Sequence, residues 1–366
     1  MFLLKKKGWV LPALLACGLL VCGAAWAAMP AIGVKDINAG FVYVGPAADG
    51  GWSYMHDVAR KEMEKKYPGL KTSIVESVPE GPDAERVIET FIRNGSKVIF
   101  ATSFGYMDPV QNVAKRHPGV VFMHCSGYKR ADNVGIYFGR MYQPRYLSGL
   151  VAGKMTKNNV VGYVAAYPIP EVIRGLNAFT LGVRKSNPKA VVKVVWLFSW
   201  HDPAKEKEAT KALYDMKADV VGMHADTGAT PQAAEELGIY VVGYNNDMSK
   251  YAPTKHLTAP VWNWGMVYSH VIDSVKSGTW KSEDIWWGLK EGLVSLSAYG
   301  KDVPADVKKL VETEKEKIIS GKWDVFYGPL KDQSGKVRVE AGKKLSDKDM
   351  LSINWYVEGV SGEMPK

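Results

Sequence analysis

Short β-rich runs alternate with longer amphipathic stretches along most of this chain, and that alternation constrains the fold more than any other feature. In the first half, β-rich runs at residues 41–44, 72–75 and 97–101 precede amphipathic segments at 54–67, 83–93 and 108–116. The second half repeats the order, with runs at 160–165, 192–198, 220–223 and 240–243 and helical segments near 171–185, 204–216 and 231–237. Because right-handed βαβ crossovers place helices on both faces of a parallel sheet, the pattern predicts an α/β fold with two doubly wound lobes.

The length and composition fit this two-lobe organisation. The 366 residues exceed one average domain, and an apolar content of 46% is enough to build sizeable cores. We predict a first lobe over residues 38–155, completed by about residues 263–285. The second lobe is predicted over residues 156–262 and is completed by about residues 286–366.

The N-terminus has the three parts of a secretory signal peptide. Basic residues 5–7 precede an apolar run at 9–24, and a small-x-small motif follows at 25–27. We therefore predict a signal peptide over residues 1–27, cleavage after its last residue and a periplasmic mature protein. Two alternatives stay open: the apolar run could anchor the chain in a membrane, or a loose lipobox could lead to a lipoprotein anchored through Cys17.

The charge and the cysteines exclude two classes of protein. The chain has 47 Lys and Arg against 38 Asp and Glu, for a formal charge of +9, but the basic residues are scattered among acids. Nucleic acid is therefore not an expected partner. Since Cys17 and Cys22 lie in the predicted signal peptide, only Cys125 remains in the mature chain. A disulfide-stapled scaffold is thus excluded, and a buried thiol is expected at Cys125.

Unusual residues follow several of the predicted strands. Aromatic rings, carboxylates and amides recur in the loops at residues 45–53, 102–108, 200–203, 224–228 and 245–247. Ligands of doubly wound sheets bind outside the carboxyl ends of the strands. The pattern therefore predicts a cleft between the lobes that suits a flat molecule with polar edges.

Three aromatic side chains of these loops could stack on such a ring: Trp52, Phe104 and Trp200. An aromatic pair contributes about 0.5–1.5 kcal/mol of binding free energy in addition to the contribution of the apolar area that it buries. Packing in the core or between the lobes is the alternative role for any one of them. Asp202 is expected to cap a helix instead, because it directly precedes Pro203.

Polar residues near the same strand ends could bind the edges of the ring. We assign hydrogen-bonding roles to Asp226, Asp247 and Asn263, with Asp226 as the candidate acceptor for an exocyclic amine. A hydrogen bond to a charged group contributes about 1.5–3 kcal/mol. The predicted ligand-binding set also includes Ser103, Glu171 and Asn246.

The sequence has no motif that indicates catalysis. The glycine-rich loop at residues 45–53 lacks the Lys-Ser/Thr ending of a Walker loop and the spacing of a dinucleotide fingerprint. The seven His residues show no metal-ligand spacing, and no Gly-x-Ser-x-Gly elbow is found. We expect a binding protein without a cofactor or a metal.

Residues 50–54, 98–108, 162–172 and 202–206 form four motifs in a defined order. Together they resemble the basic membrane protein family, whose members are substrate-binding proteins of ABC transporters. The likeness runs from residue 41 to about residue 280 and beyond. It implies a type I periplasmic-binding-protein fold, with two Rossmann-like lobes joined by a three-strand hinge, a purine-type ligand between them and a membrane permease as partner.

By motif position, Trp52 and Trp200 resemble the two stacking aromatics of the family, and Asp247 resembles the acid after the last strand of the second lobe. Residues 257–264 read Leu-Thr-Ala-Pro-Val-Trp-Asn-Trp. At this place, nucleoside-binding members of the family have a segment similar to Val-Lys-Arg after Leu-Thr. Without that Lys, the chain resembles a branch with tryptophan-rich pockets suited to a free base.

The resemblance therefore leads us to predict a monomeric solute-binding protein of an ABC importer. We expect it to favour a free base such as adenine over a nucleoside. A ligand-sensing receptor domain for a similar small molecule is the first alternative, and a purine-processing enzyme is the second.

Overall fold

The computed structural model describes residue 2 and residues 30–365. The predicted signal peptide lies, apart from Phe2, outside these residues, as do its cleavage site and Cys17. Within the described residues, no helix has both the length and the apolar character needed to cross a membrane.

The first lobe is built on a sheet of six parallel strands. These strands are β1 (Asn38–Val42), β2 (Lys71–Val75), β3 (Val98–Ala101), β4 (Val121–Cys125), β5 (Val134–Gly139) and β12 (Asp284–Trp287). They lie in the order β12-β5-β4-β3-β1-β2. The helices of this lobe are α1 (Trp52–Lys66), α2 (Pro82–Arg93), α3 (Met107–Ala114) and α8 (Gly265–Ser277).

The second lobe repeats the design with another sheet of six parallel strands. These strands are β6 (Val160–Ala165), β7 (Val191–Trp196), β8 (Val220–His224), β9 (Tyr240–Val242), β10 (His256–Thr258) and β16 (Val360–Ser361). They lie in the order β10-β9-β8-β6-β7-β16. The helices in the remaining sequence are α4 (Tyr142–Met155), α5 (Pro170–Ser186), α6 (Pro203–Asp215), α7 (Ala229–Leu237), α9 (Ala305–Ile319) and α10 (Asp347–Leu351). The predicted α/β fold with two parallel-sheet lobes is confirmed.

The strands are apolar because helices cover both faces of each sheet. In the first lobe, Phe41 of β1 and Phe100 of β3 are fully buried and stack with ring centroids 4.7 Å apart. Helix ends follow the sequence signals as well. Asp202 accepts a hydrogen bond from the Lys205 backbone N–H at 3.1 Å and Pro203 begins α6, which confirms the predicted cap.

The chain passes between the two sheets three times. The crossings are residues 140–141, β11 (Pro260–Trp262) and β13 (Val294–Leu296). β11 and β13 pair as antiparallel strands, so the second and third crossings support each other. A separate hairpin, β14 (Leu330–Lys331) with β15 (Val337–Val339), lies near the C-terminus, and short 3₁₀ helices occupy Val34–Asp36 and Phe104–Tyr106.

Helix α4 packs on the helices of the second sheet, against α5 and α9. The sequence analysis placed its residues at the end of the first lobe. Glycines explain the packing, because a methyl group at Gly149 would overlap the carbonyl of Phe179, and one at Gly182 would overlap the carbonyl of Tyr146. The backbones of α4 and α5 therefore touch directly where they cross.

This crossing predicts a stability effect. Gly182→Ala should lower the free energy of unfolding by about 1–3 kcal/mol, because the added methyl forces the two helices apart. Gly119→Ala is the matched control, since Gly119 has open space around its Cα and an ordinary backbone conformation. It should change stability by no more than about 0.5 kcal/mol. Urea unfolding followed by circular dichroism measures both, and equal midpoints for the two variants would contradict the close crossing.

Candidate ligand-binding site

A cavity lies between the lobes, where the carboxyl ends of the two sheets face each other. Its empty space, including the part open to solvent, is about 310 Å³. The first lobe lines it with Val44, Trp52, Ser103, Phe104 and Ser126. The second lobe lines it with Glu171, Trp200, His224, Asp226 and Tyr244. Its mixed lining of polar and aromatic side chains from both lobes suits a small molecule that contacts both. We call it the inner cavity.

Trp52 is the first residue of α1, and the preceding loop holds it in place. The Asp49 carboxylate accepts hydrogen bonds from the backbone N–H groups of Gly51 at 2.7 Å, Tyr54 at 3.1 Å and Ser53 at 3.3 Å. These bonds satisfy donors that the start of a helix leaves unpaired. Burial nevertheless raises the pKa of Asp49 to about 6.

The Trp52 indole is fixed from several sides. Its Nε1–H donates to the Thr102 carbonyl at 2.7 Å. Trp262 and Trp264 stack on each other at 4.2 Å and meet Trp52 edge to face at 5.7 and 5.6 Å. Since the indole N–H is already bonded to protein, Trp52 offers a ligand mainly its apolar ring.

Trp200 reaches the same cavity from the second lobe. It is half-buried, and its ring lies 5.1 Å from that of Tyr167 and 6.4 Å from that of His224. Its backbone carbonyl accepts a hydrogen bond from the Asp226 N–H at 3.1 Å. The loop after β7 is thereby tied to the loop after β8, so Trp200 and Asp226 are positioned together.

Two carboxyl groups line the inner cavity, and burial raises the pKa of both. It raises the pKa of Glu171 to about 7. The pKa of Asp226 is raised well above its ordinary value by burial and by the neighbouring acids Asp49, Glu206 and Glu171. Among the described residues, no Lys or Arg lines the cavity. The site is therefore rich in hydrogen-bond acceptors and suits a ligand that donates.

His224 and Tyr244 complete the wall on the second lobe. The Nε2 atom of His224 lies 3.5 Å from a Glu171 carboxyl oxygen, and burial lowers the pKa of His224 well below its usual value. The ring is thus neutral. The guanidinium of Arg145 lies 3.9 Å from the centre of the Tyr244 ring, behind the cavity. The Tyr244 hydroxyl has no partner among the described protein groups.

The two lobes touch beside the cavity. The Asn246 side-chain amide donates to the Gly50 carbonyl. A methyl group at Gly51 would overlap the carbonyl oxygen of Asp226, so only glycine permits this approach. The cavity is consequently closed on this side.

The structure brings most of the predicted site residues together. Those that line the inner cavity are Trp52, Ser103, Phe104, Glu171, Trp200 and Asp226. Asn246 does not line it but joins the lobes next to it. These positions agree with the rule that ligands meet the carboxyl ends of parallel strands.

Besides Asn246, two predicted residues lie outside the inner cavity. Asp247 is exposed, and its carboxylate accepts from the Ser249 N–H at 2.9 Å. Asn245 adopts a left-handed φ of +72°, which redirects the chain before Asp247. Asn263 is also exposed, because it lies between Trp262 and Trp264, whose side chains both turn inward.

Four cavity residues were absent from the predicted set: Val44, Ser126, His224 and Tyr244. All four sit at or within two residues of the ends of β1, β4, β8 and β9. Applying the strand-end rule to every strand, including those followed by small or apolar residues, would have found them.

Comparisons with known proteins agree with this geometry. A family model described as ABC transporter substrate-binding protein PnrA-like matches residues 37–326. A purine-binding protein of Brucella abortus (strain 2308) is 46% identical over 333 residues, which cover 91% of this chain and 95% of that protein. A second relative, from Haloferax volcanii, is 38% identical, and the match covers 90% of this chain and 82% of that protein. Its name describes a putative glucose-binding protein of an ABC transporter.

Solved structures share the fold at lower identity. A solute-binding protein of an ABC transporter system from Aeropyrum pernix K1 superposes with a TM-score of 0.70 at 19% identity, covering 81% of this chain and 93% of its own. One from Conexibacter woesei DSM 14684 superposes with a TM-score of 0.65 at 21% identity, covering 79% and 98%. The sequence resemblance is thereby confirmed. The chain belongs to the PnrA-like family of ABC transporter substrate-binding proteins, which are not enzymes but extracytoplasmic proteins that bind a small molecule for a membrane permease.

Proposed function

We propose that this protein binds a purine in the inner cavity, prefers a free base such as adenine to its nucleoside, and delivers it to the permease of an ABC importer. The observation that carries the proposal is that Trp52 and Trp200, from opposite lobes, line the same cavity. Aromatic faces on both sides of a small space favour a flat ring. Export through the predicted signal peptide would bring the protein to the permease.

The edges of the inner cavity support a ligand with hydrogen-bond donors. Asp226, Glu171 and Ser126 line these edges, while the Ser103 hydroxyl, which donates to Glu80 at 2.6 Å, can only accept. An exocyclic amine and a ring N–H of adenine would donate to the two carboxyl groups. Both carboxyl groups lose their hydrogen bonds to water on burial, which costs free energy. A hydrogen bond from the ligand to each group would offset this cost.

The preference for a base over a nucleoside rests on the wall behind Trp52. The stacked pair Trp262 and Trp264 fills this region with apolar rings, and the Trp262 Nε1–H is bonded to the Asn245 side chain at 3.0 Å. The Trp264 indole N–H has no protein partner, but Trp264 is fully buried, so this region presents mainly apolar ring surface to a ribose. The Brucella relative, at 46% identity, is named for purine binding, and the Haloferax relative named for glucose is less similar at 38%.

Isothermal titration of the purified protein with adenine, adenosine and glucose tests the proposal. We expect adenine to bind more tightly than adenosine and glucose not to bind. Trp200→Ala should weaken adenine binding by about 1–3 kcal/mol, roughly 5- to 150-fold, which is the usual loss of one base-stacking aromatic. Tyr214→Ala, on an exposed face of α6, is the control and should bind as the parent does. Binding of glucose alone, or an unchanged affinity of Trp200→Ala, would contradict the purine site.

Asp226 is expected to distinguish an amino purine from an oxo purine. Asp226→Asn keeps the shape of the side chain but replaces one acceptor oxygen with a donor. Adenine should bind more weakly by about 1–3 kcal/mol, while hypoxanthine, whose oxo group accepts, should lose less or bind more tightly. Titration of both bases measures the difference, and equal losses would show that Asp226 does not contact the exocyclic group.

We also propose that the lobes open and close about the three crossing segments to admit the ligand. Gly51→Ala should prevent full closure, because the methyl overlaps the Asp226 carbonyl, yet it should leave each lobe folded. The expected result is at least tenfold weaker adenine binding with a nearly unchanged melting temperature of the ligand-free protein. Small-angle X-ray scattering should show less compaction on adding adenine than in the parent. Parental affinity in this variant would refute closure through this contact.

A further inference from the structure

A second, larger chamber adjoins the inner cavity. It measures about 1450 Å³, including the open space at its mouth, and shares Phe104, Ser126 and Glu171 with the inner cavity. Its apolar wall includes Tyr128, Ile136, Phe138, Pro170, Trp286 and Leu351. Ser126 is small, so the junction between the two spaces has no bulky side chain at that point. We call this space the outer chamber.

Trp286, in the wall of the outer chamber, is held by contacts within the protein. The Trp286 Nε1–H donates to the Gly139 carbonyl at 3.1 Å, and the Arg140 guanidinium lies 4.2 Å from the centre of the indole ring. Arg140 is in turn paired with Asp347 through two hydrogen bonds of 2.9 and 2.6 Å. Trp286 is therefore a preformed apolar surface, which lowers the entropy cost of binding against it.

The polar groups of the outer chamber are mostly engaged with the protein. Arg174 donates to the Met350 carbonyl at 2.8 Å, and the Ser352 hydroxyl donates to the Lys348 carbonyl at 3.0 Å. Asp284 and Lys348 are exposed, so water solvates their charges. A sugar in this space would lose hydration without gaining matched partners. An apolar group would gain by leaving water.

We propose that the ligand class of this protein extends to purines that carry an apolar substituent, such as an aryl or branched alkyl group, with the ring in the inner cavity and the substituent in the outer chamber. The inference rests on the proposed purine site and names the substituted members of its ligand class. The substituent leaves the ring at the edge that faces Glu171 and Ser126, where the two spaces join.

Isothermal titration with adenine, adenosine, N6-benzyladenine and N9-benzyladenine tests the proposal. The two benzyl positions distinguish the two ways in which the ring can face the junction. We expect one of the benzyl compounds to bind at least tenfold more tightly than adenine, because burial of a phenyl ring contributes strongly to affinity. Both benzyl compounds binding tenfold or more weakly than adenine would overturn the inference and leave the purine site standing.

A wall variant locates the substituent. Leu351→Trp adds bulk at the edge of the outer chamber, at a residue that is 42% exposed and so tolerates substitution. It should remove most of the gain of the benzyl compound. Val337→Trp, at a residue 39% exposed on β15 and outside the chamber, is the control and should keep the gain.

The outcomes separate the two proposals. If a benzyl compound binds and adenine does not, the outer chamber is supported and the preference for a simple base fails. If none of the four compounds binds, both proposals fail together. If the benzyl gain persists in Leu351→Trp, the substituent lies elsewhere and the outer chamber is refuted as its site.

Discussion

The contact between the loop after β1 and the loops of the second lobe determines whether this protein has an enclosed site at all. Gly51 lies against the Asp226 carbonyl, and Asn246 donates to the carbonyl of Gly50. A side chain at residue 51 would hold the lobes apart. Because glycine lets the backbones meet, Trp52 of one lobe and Trp200 of the other line the same small space. Both lobes can therefore contact one molecule in the proposed site.

Enclosure also changes the acids around the inner cavity. Asp226 and Glu171 line it, while Asp49 and Glu206 lie near enough to raise the pKa of Asp226 further. Burial raises the pKa of both carboxyl groups that line the cavity, so their charged forms are disfavoured in the closed arrangement. In the proposed site, a ligand that donates hydrogen bonds to these groups would offset this cost. The neutral His224 adds no charge that would compete for them.

The sequence predicted both sheets and many of the residues that line the inner cavity for the same physical reason. Parallel strands covered on both faces are continuous apolar runs, and the residues after such runs must gather at one edge of the sheet. Trp52, Trp200 and Asp226 were found in this way. The rule does not say where a side chain points within a loop. Asp247 is therefore exposed although it follows β9, since the left-handed backbone at Asn245 redirects the chain.

By itself the sequence determined the two-lobe α/β architecture and the family, because strand periodicity and contiguous motifs are properties of residues close together in the chain. Only the tertiary structure decided that α4 packs on the second lobe, that Ser126 and Tyr244 face one cavity, and that an outer chamber opens beside it. These features depend on contacts between segments far apart in sequence. Backbone-level packing at Gly149 and Gly182 and the spacing between two lobes arise only when those segments meet.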